Sequence, residues 1–209
     1  MGLRPHDLLR LTSSTAVQVA DPPDWLAAAL QCTPWVVVRR AEPLAGRIAV
    51  GVRGSSREQR CAAFLDAAAI AEIVRPEDLV PSASWHAAAR REHPVIEALT
   101  QIAPVLTSTG LVWGVAGAAG FELATGQPVL TPVSDLDLIL RVDFPLPLDA
   151  LMAIGAGLAR TDVVTDVVVE TPVGSVALAE LLGCSHSVLV KTADGPQLVK
   201  RATLSSRAA

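Results

Sequence analysis

The chain has 209 residues, enough for one large domain or two small ones with real cores, and carries a net charge of only −4. Hydrophobic residues make up 51 %, much of it alanine and valine with no tyrosine, which excludes a disordered chain. No apolar run approaches the roughly 18 residues of a membrane span, and a chain this acidic argues against a general nucleic-acid binder.

The first residues, Met1-Gly-Leu-Arg-Pro-His-Asp7, place charge where a signal peptide needs an apolar stretch. Cys32, Cys61 and Cys184 are odd in number and far apart, which fits reduced thiols in a cytoplasm and gives no zinc-ligand spacing. His6 is explained by an N-terminal cap or an ion pair with Asp7. A short helix is predicted over Asp24 to Gln31, then strands over Trp35 to Arg40 and Arg47 to Val52, joined by a Pro/Gly turn. Ser55 or Ser56 can cap a helix running through Arg57, Arg60 and Phe64, and the alanine-rich stretch from Asp66 to Val74 predicts another.

Between Pro76 and Pro94 the pattern becomes polar and irregular, and a domain boundary is placed there: residues 1–80 form a smaller α+β unit and 92–203 a second one. His86 and His93 lie in or beside this linker and are read as surface residues. The second unit reads as a helix to Ser108 containing Pro104, a strand over Leu111 to Gly114 and a helix over Ala118 to Ala124. It continues with a strand over Asp135 to Arg141, a helix over Leu148 to Arg160 and a strand over Val163 to Glu170. A hairpin around Asp194-Gly195 closes it. Ser185-His186-Ser187 lacks the Gly-x-Ser-x-Gly turn of a serine hydrolase.

The segment Ser134-Asp-Leu-Asp-Leu-Ile-Leu140 carries the chemistry. On a strand, residues two apart share a face, so Asp135 and Asp137 stand roughly 6.6 Å apart while Leu136, Leu138 and Leu140 enter the core. Paired carboxylates on a half-buried strand repel one another, and a divalent cation removes that cost. Magnesium favours one or two carboxylates plus phosphate oxygens. Upstream, the Gly117 to Gly120 stretch opens a helix whose N–H groups can hold phosphate. Downstream, Asp166 interrupts a β-branched run, an expensive place for a carboxylate unless it faces a charge or a metal; Asp162 is its rival. The expected chemistry is metal-assisted phosphoryl or nucleotidyl transfer.

Charge is unevenly spread. Residues 1–60 hold eight arginines against five acids, and residues 121–170 hold eight acids against two arginines, which suits a polyanionic substrate held between them. Arg53, Arg57 and Arg60 follow one another around Gly54, where three guanidiniums can grip a triphosphate; a solvated helix face is the bland alternative.

Arg4-Pro-His-Asp-Leu-Leu9, Gly51-Val-Arg-Gly-Ser-Ser-Arg-Glu-Gln-Arg60, Trp113-Gly-Val-Ala-Gly117, Phe121-Glu-Leu-Ala-Thr-Gly126, Ser134-Asp-Leu-Asp-Leu138 and Asp166 to Thr171 occur in an order that resembles the malonate decarboxylase holo-acyl-carrier-protein synthases. These are also called phosphoribosyl-dephospho-CoA transferases, and the likeness runs from near residue 4 to about residue 200. The resemblance implies an α+β architecture with a nucleotidyltransferase-like mixed-sheet C-terminal domain behind a smaller N-terminal one. It implies transfer of a prosthetic group from triphosphoribosyl-dephospho-CoA to a serine of the decarboxylase's acyl-carrier subunit, with release of pyrophosphate. It further implies Asp135, Asp137 and Asp166 as magnesium or manganese ligands, and Gly117 and Ala118 beside the donor. The superfamily has Gly-Ser where this chain has Gly117-Ala118, which keeps open a noncatalytic homologue; a nucleotidyltransferase for another acceptor is the second alternative.

Overall fold

A computed structural model describes residues 2–41, 44, 46–56, 58–80, 85 and 92–206. Two six-stranded sheets organise them. The first is wholly antiparallel and comprises β1 (Leu8–Leu11), β2 (Val17–Gln18), β3 (Trp35–Val38), β4 (Ile48–Arg53), β5 (Arg60–Leu65) and β6 (Ile70–Val74), in the order β2-β5-β4-β3-β1-β6. Leu9, Leu11, Val36, Val38, Val50, Val52, Ala63 and Leu65 point from one face of it into a core shared with Leu26 and Leu30 of helix α1 (Trp25–Cys32). Alternation then sends Leu8, Val37, Gly51, Arg53 and Arg60 to the opposite face.

Two helix expectations are corrected here. The residues from Arg60 to Leu65 form β5, because burial alternates with a period of two: Ala63 and Leu65 are buried while Arg60 and Ala62 are exposed. The turn before β5 is held by the Gln59 side chain, whose Oε1 accepts from Ser55 N at 2.9 Å. Arg57 lies outside the described residues. The alanine run gives only a short 3-10 turn at Ala67–Ala69, after which Ile70–Val74 pairs with β1. Sheet pairing at this edge outweighs the helix propensity of alanine. Strand β1 itself was not anticipated.

The second sheet comprises β7 (Val112–Val115), β8 (Leu136–Arg141), β9 (Thr165–Thr171), β10 (Gly174–Ala177), β11 (Ser187–Thr192) and β12 (Gly195–Lys200), in the order β12-β11-β10-β9-β8-β7. Only β8 and β9 run parallel, joined through helix α4 (Leu148–Leu158), so the sheet is mixed. Helices α2 (Pro94–Ser108), α3 (Gly117–Thr125), α5 (Leu178–Leu182) and α6 (Arg201–Ser206) complete it. Helix α2 continues through Pro104, and His93 caps it, its Nδ1 accepting from Val95 N. Leu136, Leu138 and Leu140 are fully buried among Leu99, Ile102, Leu151 and Ile154. The architecture is α+β, as expected. Among the described residues no helix is long and apolar enough to cross a membrane.

Charged and apolar contacts fasten the two sheets together. Leu8 and Trp35 of the first pack with Phe121 of α3. The 3-10 turn Pro76–Leu79 crosses β7 so closely that a Cβ at Gly114 would overlap the Pro76 backbone. From that turn Glu77 receives Arg141 Nε at 2.6 Å and Arg4 Nη2 at 2.6 Å. Burial opposes ionisation of Glu77, yet the two guanidiniums hold its pKa below the ordinary value. Arg141 Nη2 also stands 3.8 Å from Oδ1 of the wholly buried Asp7, close enough for attraction but too far for a hydrogen bond. Burial raises the pKa of Asp7.

Candidate active site

Strand register decides where the acids meet. β8 and β9 pair so that Asp137 lies opposite Asp166, Ile139 opposite Val168 and Arg141 opposite Glu170. Neighbouring strands are about 4.8 Å apart, so Asp137 and Asp166 rise side by side from one face of the sheet. Asp135 immediately precedes β8, while Asp162 lies exposed ahead of β9. Burial, then the charge of Asp135, then that of Asp166 push the Asp137 carboxyl up to about 6; Arg60 and His6 pull the other way. Asp135, Asp137 and Asp166 therefore share one electrostatic site, and Arg60 of the first sheet and His6, just ahead of β1, act on it.

The start of α3 closes the site from above. Ala116 N donates to Asp137 O at 3.0 Å as the chain leaves β7, and Gly117 then turns with φ +58. A Cβ at Gly117 would overlap the Asp137 carboxylate, so glycine is required twice over, by its backbone angle and by close approach. No side chain caps the helix, which leaves the N–H groups of its first turn for an anion. Ala118 leans on the core, whereas Ala116 and Gly117 line the adjoining cavity. That cavity has a volume of about 180 Å³ and lies between the two sheets, with His6, Leu8, Arg53 and Arg60 on one side and Gly117 and Phe121 on the other. Arg53 lies 6.0 Å above the centre of the Phe121 ring. Arg53 and Arg60 are opposite one another on β4 and β5, which accounts for their joint appearance despite six intervening residues.

Among the described residues, no group of three His, Cys, Asp or Glu side chains is placed to hold a metal ion. The facing carboxylates of Asp137 and Asp166 could still contribute to a magnesium site, since that ion commonly takes one or two carboxylates and completes its shell with substrate phosphate and water. Burial, joined by the charges of Asp135 and Asp166, raises the Asp137 pKa, and such a cation would relieve that cost.

Three participants escaped the sequence reading. Glu170 shares the face of Asp166 and is 8 % exposed; one of its carboxylate oxygens accepts from Arg40 and the other lies 3.5 Å from His6 Nε2. Burial works against the charge of Glu170, but His6 and Arg40 hold its pKa below the ordinary value. His6 does not pair with Asp7, whose Oδ2 accepts instead from Arg4 N at 2.9 Å. It adopts φ +75, uncommon outside glycine, and its N–H donates to Val38 O at 3.0 Å. The period of two from Asp166 to Glu170 could have revealed Glu170; nothing local foretells the pairing of His6 with a residue so distant in sequence.

Two family models together span nearly all of this architecture. The phosphoribosyl-dephospho-CoA transferase MdcG N-terminal domain matches residues 4–76, and the corresponding C-terminal domain matches residues 79–202. The chain belongs to the phosphoribosyl-dephospho-CoA transferase family. It is 41 % identical over 199 residues to the phosphoribosyl-dephospho-CoA transferase of Pseudomonas aeruginosa, covering 95 % of this chain and 93 % of that one. Identity to the Azotobacter vinelandii protein of the same name is 40 % over 196 residues, covering 94 % and 92 %. As a member of this family the protein is an enzyme, a transferase. No solved structure matches the chain.

Proposed function

We propose that the protein transfers the 2′-(5″-phosphoribosyl)-3′-dephospho-CoA group from its triphosphate precursor to a serine of the acyl-carrier subunit of malonate decarboxylase, in the cytoplasm, releasing pyrophosphate. The observation that supports this reading best is the pairing of Asp137 with Asp166 beneath the uncapped start of α3, across a cavity from Arg53 and Arg60. It fits a nucleotidyltransferase-like division of labour, with residues 92–203 holding the metal site and residues 1–80 supplying cations.

Magnesium or manganese, held by Asp135, Asp137 and Asp166, would supply charge neutralisation at the reacting phosphate. Around it the chain's own groups have defined tasks. The N–H groups of Gly117 and Ala118 receive phosphate oxygens, and Gly117 admits them because it has no side chain. Arg53 and Arg60 balance the triphosphate charge. The apolar wall of Leu8 and Phe121 excludes water from the reacting end. Ala118 enters through its backbone, so the absent serine hydroxyl does not remove the phosphate contact of the helix.

The test is direct. Purified protein, triphosphoribosyl-dephospho-CoA, magnesium and the apo carrier subunit should yield a carrier heavier by one prosthetic group and one equivalent of pyrophosphate, and a chelator should stop both. A carrier that gains no mass with magnesium present would refute the reading.

A further inference from the structure

At the junction of the two sheets the buried Glu170 is faced by His6, whose side chain is partly exposed. Arg40 already compensates Glu170 through one carboxylate oxygen. The other, Oε1, is buried with no hydrogen bond within normal length, and the nearest donor directed at it is His6 Nε2 at 3.5 Å. The chain accepts a left-handed backbone at His6 to put that ring in place, with Val38 O holding the N–H. The ring lines the cavity with Arg60, Ala116 and Gly117. A salt bridge needs none of this; Arg40 suffices.

We infer that His6 is the proton acceptor for the incoming hydroxyl, with Glu170 as the residue that positions it; this rests on the transfer reaction proposed above. A carboxylate facing Nε2 favours the tautomer with hydrogen on that nitrogen and leaves Nδ1, the ring nitrogen not directed at Glu170, with its lone pair. Nδ1 takes the proton of the serine hydroxyl as its oxygen bonds to the α-phosphorus. The bond from that phosphorus to the bridging oxygen of pyrophosphate breaks, and its electron pair leaves with pyrophosphate. The proton on the imidazolium passes to solvent once the product has gone. Glu170 stabilises the imidazolium, and Arg40 keeps the carboxylate ionised.

Variants must respect φ +75, which asparagine and glycine tolerate. His6→Gly and His6→Asn should unfold within a few degrees of the wild type while kcat falls about 100-fold or more, the usual worth of a positioned general base. The donor's KM should change little. Imidazole added to His6→Gly should restore part of the rate, which a merely structural histidine would not allow. Independently of activity, nitrogen-15 spectra of the wild-type ring should show hydrogen on Nε2 and a bare Nδ1. A His6→Gly kcat within about threefold of wild type, no response to imidazole, or hydrogen on Nδ1 would each overturn the inference while the wild type still transfers. A wild type that fails to transfer would overturn the proposed function and this role together.

Discussion

Asp137→Asn separates the cost of the acid cluster from its use. Burial and the charges of Asp135 and Asp166 raise the Asp137 pKa from 3.8 to about 6. At about 1.4 kcal/mol per unit, ionising this side chain costs the metal-free folded state at most about 3 kcal/mol at neutral pH. Because the folded pKa lies above the unfolded one, the stabilising contribution is complete below about pH 4 and is lost as pH rises through about 6. Asparagine keeps the shape beside Gly117 and carries no charge. The variant should therefore melt several degrees above the wild type at pH 7.5 without metal, and the gap should close as pH falls toward 4. Added magnesium should raise the melting temperature of the wild type and leave the variant's unchanged, because a ligand that binds only the folded site stabilises it by mass action. Transfer should be lost in the variant. Calorimetry across pH 4 to 8, with and without magnesium, reads all of this. A variant destabilised equally at every pH would mean that Asp137 is a structural acceptor, and the acid-cluster reasoning would fail.

Other outcomes follow from the same geometry. Asp166→Ala should cost activity comparably to Asp137→Asn, and Asp162→Ala little, since only Asp166 is in register with Asp137; steady-state rates rank the two. Gly117→Ala should abolish transfer and lower stability by roughly 1–2 kcal/mol or more, because the left-handed angle adds to overlap with Asp137; denaturant unfolding measures it. Arg53→Ala and Arg60→Ala should raise the donor's KM with strong salt dependence while the carrier's KM stays put, as charge neutralisation at a polyanion requires. Arg141→Met removes the cation shared by Glu77 and buried Asp7 and should destabilise the protein by about 3–5 kcal/mol at neutral pH. Thermal unfolding checks this, and a loss under 1 kcal/mol would contradict the tie between the sheets.

Periodicity and turn residues made every strand of the second sheet legible except β10, which was not anticipated. Alternating leucines around Asp135 and Asp137 placed both acids on one face, and the structure buries Leu136, Leu138 and Leu140 as that alternation requires. The β-branched run around Asp166 declared a strand, and the glycines from Gly117 to Gly120 marked a helix start whose N–H groups can hold phosphate. These are local properties, written in spacing of two and in residues with restricted conformations. The segment from Arg60 to Val74 misled because its alanines favour a helix in isolation, whereas sheet neighbours β4 and β1 bind its backbone instead. Pairing partners distant in sequence leave no local trace. For the same reason only the tertiary structure could bring His6 and Arg40 to Glu170, or set Arg53 and Arg60 across a cavity from the start of α3. The sequence by itself determined which side chains carry charge and which face of a strand they occupy. The register of β8 on β9 and the closure of one sheet over the other decided which charges meet, because both depend on contacts summed over the whole chain.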